Sequence, residues 1–154
     1  LISGHSRFDR FRYQGDASAL TAQELRGWAI FNGDRGNCSR CHSGFDLSDH
    51  EFHNIGTALD HSVDAGRQRI TLHPGDRGKF KTPSLRNITL TAPYMHDGSM
   101  VTLEETVEHF SSGGVDDPNK DPLMTPLQLS NQEKADLVAF LRSLTDARSL
   151  DTVE

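Results

Sequence analysis

The sequence predicts a mainly α-helical domain with long irregular loops, on three observations: a recurring helix start, a single Cys-x-x-Cys-His run, and a central stretch without periodicity. The start signal is a Thr or Ser that caps free amides, with a Glu three residues on that reaches back. It occurs at Thr21-Ala22-Gln23-Glu24, Thr102-Leu103-Glu104-Glu105 and Ser130-Asn131-Gln132-Glu133. In the first helix Leu25, Trp28 and Ala29 share one stripe, and in the second Leu103, Val107 and Phe110 do. The third, from about Gln132 to Leu144, has the broadest apolar face: Leu137, Val138, Phe140, Leu141 and Leu144. From residue 44 to 101, Gly, Pro, Asp, Asn and His dominate and periodicity fails. A long irregular stretch inside a small domain wraps around something.

Cys38-Ser39-Arg40-Cys41-His42 says what that is. Two thiols two residues apart, followed at once by an imidazole, are the pattern of covalent c-type haem attachment. Each sulfur bonds one vinyl edge of the porphyrin, and His42 then lies under the macrocycle as proximal iron ligand. The chain has two cysteines in all, so a structural zinc site lacks its second pair. Gly36-Asn37 before the motif and Ser43-Gly44 after it read as loop, not as the βαβ setting of a redox Cys-x-x-Cys.

At 154 residues with 34% hydrophobic content, the chain suits one domain, 1–154, with a modest core to which a covalently held haem adds apolar bulk. Net charge is -6 and no Lys/Arg cluster occurs, which speaks against nucleic acid and for a basic redox protein or small carrier as partner. No apolar run approaches a membrane span. Thioether attachment takes place outside the bacterial cytoplasm, so a periplasmic or otherwise extracytoplasmic, trimmed chain is expected. No carboxylate pair, Ser/His/Asp set or phosphate loop points to other catalysis.

Several segments in order then carry a resemblance. They are Gly78-Lys79-Phe80-Lys81-Thr82-Pro83-Ser84-Leu85-Arg86-Asn87, Thr91-Ala92-Pro93-Tyr94-Met95-His96-Asp97-Gly98-Ser99 and the Thr102 helix start. Phe52-His53-Asn54-Ile55-Gly56, Asp64-Ala65-Gly66-Arg67 and Ala135 to Leu141 flank them. From about residue 6 to 146 the chain resembles the C-terminal haem domain of the bacterial di-haem cytochrome c peroxidases, and their MauG-like branch more closely. The resemblance implies a small cytochrome c-like haem domain, in which the helix around Gly27 to Phe31 crosses that around Leu137 to Leu144. It further implies an electron-transfer role, passing electrons between a redox partner and a catalytic haem. In the family that second haem belongs to an N-terminal domain, which would precede Leu1. The chain is therefore expected to be a fragment of a longer protein, with a natural single-haem relative as the other option, and to have little peroxidase activity of its own.

The resemblance also assigns site residues. His96 would lie beside the haem edge, and Lys81 and Arg86 could neutralise its propionates. The carbonyls of Thr91 and Pro93 correspond to ligands of an inter-domain calcium, a set left incomplete without the partner domain. At the family's sixth-ligand position, fourteen residues beyond His96, stands Phe110, which has no lone pair to give. Met124, just ahead of the last helix, is the leading replacement. His109 would give a bis-His haem but needs a helix rotation of about 100° per residue; Met100 and an open iron are the other options. An open iron would suit an independent haem enzyme or small-ligand sensor; a soluble shuttle cytochrome is a further reading. His50, His53, His61 and His73 are expected to be solvated loop residues, and Trp28 to pack in the core or lie on an electron path.

Overall fold

A computed structural model describes residues 4–57 and 64–147. Five α-helices dominate: α1 (Arg7–Tyr13), α2 (Ala22–Asn32), α3 (Gln68–Thr71), α4 (Leu103–Ser112) and α5 (Asn131–Ser143). A two-stranded antiparallel ribbon joins β1 (Phe52–His53) to β2 (Phe80–Lys81), pairing Phe52 with Lys81 and His53 with Phe80. The mainly α expectation holds, and the three start signals open α2, α4 and α5, each with both halves of the reciprocal cap formed.

α1 is additional. Its signal was present in Ser6-Arg7-Phe8-Asp9, where Asp9 replaces the usual Glu and makes the same reciprocal pair with Ser6. Its Phe8 is buried. Arg86, reaching from the central loop, holds Asp9 at 2.9 and 3.0 Å and ties α1 to the rest of the molecule.

α2 crosses α5 with almost no space between backbones. A Cβ at Gly27 would sit 2.0 Å from the Asp136 carbonyl oxygen, so only glycine permits the crossing. Arg26 clamps its edge, bonding the Asp136 carboxylate at 2.7 and 3.0 Å. This contact also corrects the stripe expected for α2. Glu24, Gly27 and Phe31 are buried, whereas Ala29 is exposed and Leu25 and Trp28 only partly covered. The face is chosen by the small residue that lets α5 approach, and not by the sum of apolar side chains. In α5 the expected residues are all buried, with Phe140 wholly enclosed. In α4 Leu103 and Val107 are buried and Phe110 half-buried. Among the described residues, no helix is long and apolar enough to cross a membrane.

Candidate haem-binding site

The Cys-x-x-Cys-His segment leaves α2 through Gly36, which lies against the Ile30 carbonyl with no room for a side chain. Asn37 follows in the left-handed conformation, φ 55°, and Cys38–Arg40 then forms one 3-10 turn. In that turn residues three apart eclipse one another. Cys38 and Cys41 therefore share a side, and both are free thiols. His42 comes next, its amide bonded to the Cys38 carbonyl at 2.9 Å.

The His42 ring is oriented from below. Its Nδ1 lies 3.0 Å from the Leu47 carbonyl, which can only accept, so Nδ1 carries the proton and Nε2 keeps its lone pair. That is the tautomer an iron ligand needs, with the far nitrogen fixed by a backbone oxygen. Burial lowers the His42 pKa, partly offset by the Leu47 carbonyl, so the ring is neutral at neutral pH. Burial pushes the Cys38 thiol up to about 12 and the Cys41 thiol up to about 11. Thioether formation suits such sulfurs, because it removes an ionisable group from an apolar place. Two thiols on one side and a neutral imidazole held by the Leu47 carbonyl fit a covalently attached haem.

The other site residues divide. Arg86 spends one nitrogen on Asp9 and Nε on the Phe45 carbonyl at 2.6 Å, with its guanidinium 3.8 Å over the Phe45 ring. Lys81 lies on β2 with Nζ 3.0 Å from His50 Nδ1. The His96 ring stacks on Phe80, centroids 3.6 Å apart and planes at 16°. Thr91 closes a 3-10 turn and, like Pro93, is exposed. Met100 bridges to Tyr94 through its backbone. Met124 is half-buried in a loop, its amide bonded to the Asp121 carbonyl at 2.9 Å. His109 donates from Nε2 to the Ile55 carbonyl at 2.9 Å and meets Phe110 edge-on. Trp28 packs edge-on against Phe11.

His53 departs from the expected solvated loop histidine. Its Nδ1 lies 2.6 Å from Asp121 and its Nε2 2.9 Å from Asp49, with all three side chains about four-fifths buried. Burial alone would lower its pKa, but the bonds to Asp121 and Asp49 override that and hold it above the ordinary histidine value. The Cys41 sulfur stands beside this group, within 4.8 Å of ligand atoms of Asp49 and His53. Sequence reading missed the triad because Asp121 lies 68 residues from His53. His50 and His73 are exposed, as expected, and His61 lies outside the described residues.

Comparison with known proteins adds the following. The cytochrome c family profile matches residues 24–145. The methylamine utilization protein MauG of Methylorubrum extorquens is 40% identical over 144 residues, covering 94% of this chain and 40% of the relative. Cytochrome-c peroxidase IdrP2 of Denitromonas iodatirespirans is 38% identical over 172 residues, covering 94% and 45%. Among solved structures, a MauG-like protein associated with microbial copper homeostasis superposes with a TM-score of 0.87 at 40% identity, covering 94% of this chain and 49% of that one. The diheme peroxidase BthA from Burkholderia thailandensis gives 0.69 at 27%, covering 93% and 46%. The chain spans about half the length of the relatives it matches.

Proposed function

We propose, from the premise that this chain belongs to the cytochrome c family, that it holds haem c through Cys38 and Cys41 with His42 as proximal ligand, and works as the electron-transfer domain of a MauG-like or di-haem peroxidase protein. The observation that carries this reading is the His42 ring, fixed by the Leu47 carbonyl with Nε2 unprotonated, one residue beyond two thiols on one side of a turn. The haem supplies a one-electron couple. The chain's own part is to tether it, hold the His42 tautomer, and exclude water from one face with Phe31 and Phe140, which keeps reorganisation small. The single domain, 1–154, passes electrons between a redox partner and a catalytic haem of a second domain, in an extracytoplasmic compartment where thioether attachment takes place.

Of the sixth-ligand options, Met124 is the one we propose. His109 already has its Nε2 committed to the Ile55 carbonyl, whereas the Met124 sulfur has no competing bond among the described residues. His96, Lys81 and Arg86 are proposed to line the haem periphery, with Arg86 acting through the Asp9 pair. A calcium at the Thr91 and Pro93 carbonyls requires ligands from another domain.

Denaturing electrophoresis with a haem stain tests the attachment. A coloured band at full chain mass is expected, and Cys38→Ala should lose most of it. A colourless band, or haem extracted by acidified organic solvent, overturns the reading.

A further inference from the structure

We propose that the face carrying Tyr13 and Phe45 is the port at which a carboxylate-rich redox protein docks and exchanges electrons with the haem. The proposal rests on the haem c reading above and names the partner chemistry for that site.

An unbroken file of rings leads from this face to His42. Phe45 and Tyr13 have centroids 5.8 Å apart, Tyr13 and Phe8 6.4 Å, Phe8 and Phe140 5.4 Å, Phe140 and Phe31 5.1 Å, and Phe31 and His42 6.5 Å. All fall in the range of packed aromatic pairs. The inner three, Phe8, Phe140 and Phe31, are buried, and core packing accounts for them. The outer two are only partly packed, Phe45 under the Arg86 guanidinium and Tyr13 beside Arg12. Tyr13 is 50% and Phe45 46% exposed, although aromatic rings of this size gain by burial.

The charge at this face points to the partner. A cavity of about 220 Å³ opens beside Tyr13, with His42 in its wall and Arg12, Trp28 and Ser39 around it. Among the described residues no carboxylate lines it, in a chain with 22 acidic residues against 16 Lys and Arg. Arg12 lies 5.8 Å over the Tyr13 ring, is exposed, and forms no ion pair among the described residues. Arg40, next to Ser39, is exposed and likewise forms none. By contrast Arg7, Arg10, Arg26, Arg35 and Arg142 are each matched to a carboxylate. An apolar centre flanked by Arg12 and Arg40, with Asp46 at its edge beside Phe45 and facing His50 at 3.3 Å, fits a partner whose contact rim carries Asp and Glu. This differs from the basic partner expected from net charge, because docking responds to the local field. The step moves one electron from the reduced partner to the ferric haem, with no bond broken and no proton transferred.

The test is stopped-flow oxidation of the reduced, haem-loaded chain by hexacyanoferrate(III), an anionic probe, and by tris(phenanthroline)cobalt(III), a cationic one. If the net charge of -6 governed the encounter, salt would speed the anionic probe. The port predicts the reverse: salt slows it, Arg12→Glu lowers its rate about fivefold, and poly-glutamate competes with it in the unmutated chain only. Tyr13→Leu should slow both probes by roughly threefold with the melting point unchanged. Rates indifferent to Arg12→Glu and Tyr13→Leu, or a solution dimer that buries both residues, overturn the port. Absence of haem from the purified chain overturns the attachment reading instead, and the absorption spectrum separates the two failures.

Discussion

Gly27 of α2 and Asp136 of α5 meet backbone to backbone, so closely that a Cβ on Gly27 would overlap the Asp136 carbonyl at 2.0 Å and the Phe140 Cβ at 2.8 Å. Neither neighbour is the free end of a flexible side chain. Gly27→Ala should force the helices apart and cost about 3 kcal/mol or more. In thermal melts followed by circular dichroism, that is a midpoint lowered by roughly 6–12 °C. An unchanged midpoint would contradict the crossing.

The Arg86–Asp9 pair is buried, at 8% and 1% side-chain exposure. Removing one partner leaves the other charge uncompensated, at about 3–5 kcal/mol. Asp9→Asn also weakens the cap that the same carboxylate makes for α1. Urea unfolding should therefore show Asp9→Asn and Arg86→Gln each losing several kcal/mol, with strong non-additivity in the double variant.

Protonation of His53 links stability to pH. Its folded pKa is raised by Asp121 and Asp49 against the lowering effect of burial. Its contribution is thus complete below the unfolded value of about 6.5 and is lost as pH rises through the folded value. Asp49 works in the opposite sense. Burial raises it, but bonds from the Glu51 amide, Thr82 and His53 lower it on balance, so its contribution is lost on acidification. Unfolding free energy should fall as pH rises above about 6.5, and Asp121→Asn should flatten that slope. A slope unchanged by Asp121→Asn would remove His53 as its source.

The iron's far side can be read spectroscopically. With Met124 as ligand the oxidised haem is low-spin with a weak long-wavelength sulfur-to-iron band, and Met124→Ala abolishes the band, lowers the potential and admits cyanide or carbon monoxide. A low-spin haem without the band, made high-spin by His109→Ala, assigns the ligand to His109. A high-spin unmutated protein favours the open-iron enzyme or sensor.

The helix starts and the Cys-x-x-Cys-His run were legible in the sequence because both are local: each is complete within five residues. The face of α2 was not, since Gly27 outranks Leu25 and Trp28 only once α5 is known to lie against it. The His53 triad escaped for the same reason, as Asp121 stands 68 residues away and only the fold brings it to the His53–Asp49 pair. Phe110 was legible as a departure, but what stands in for the missing ligand depends on where the loop before α5 runs.

Three of the four reciprocal helix caps have a second use for their acid. Asp9 also receives Arg86, Glu24 receives Arg7, and Glu133 receives Arg35, each from another element. A frayed helix end in most proteins reopens and closes alone. Here loosening one start releases an arginine that anchors a distant segment, and losing that arginine weakens the start in turn. Premature local opening is thereby coupled to global loss, so the helix ends should exchange their amide hydrogens at rates close to those of the core, an unusual evenness for a domain with so much loop.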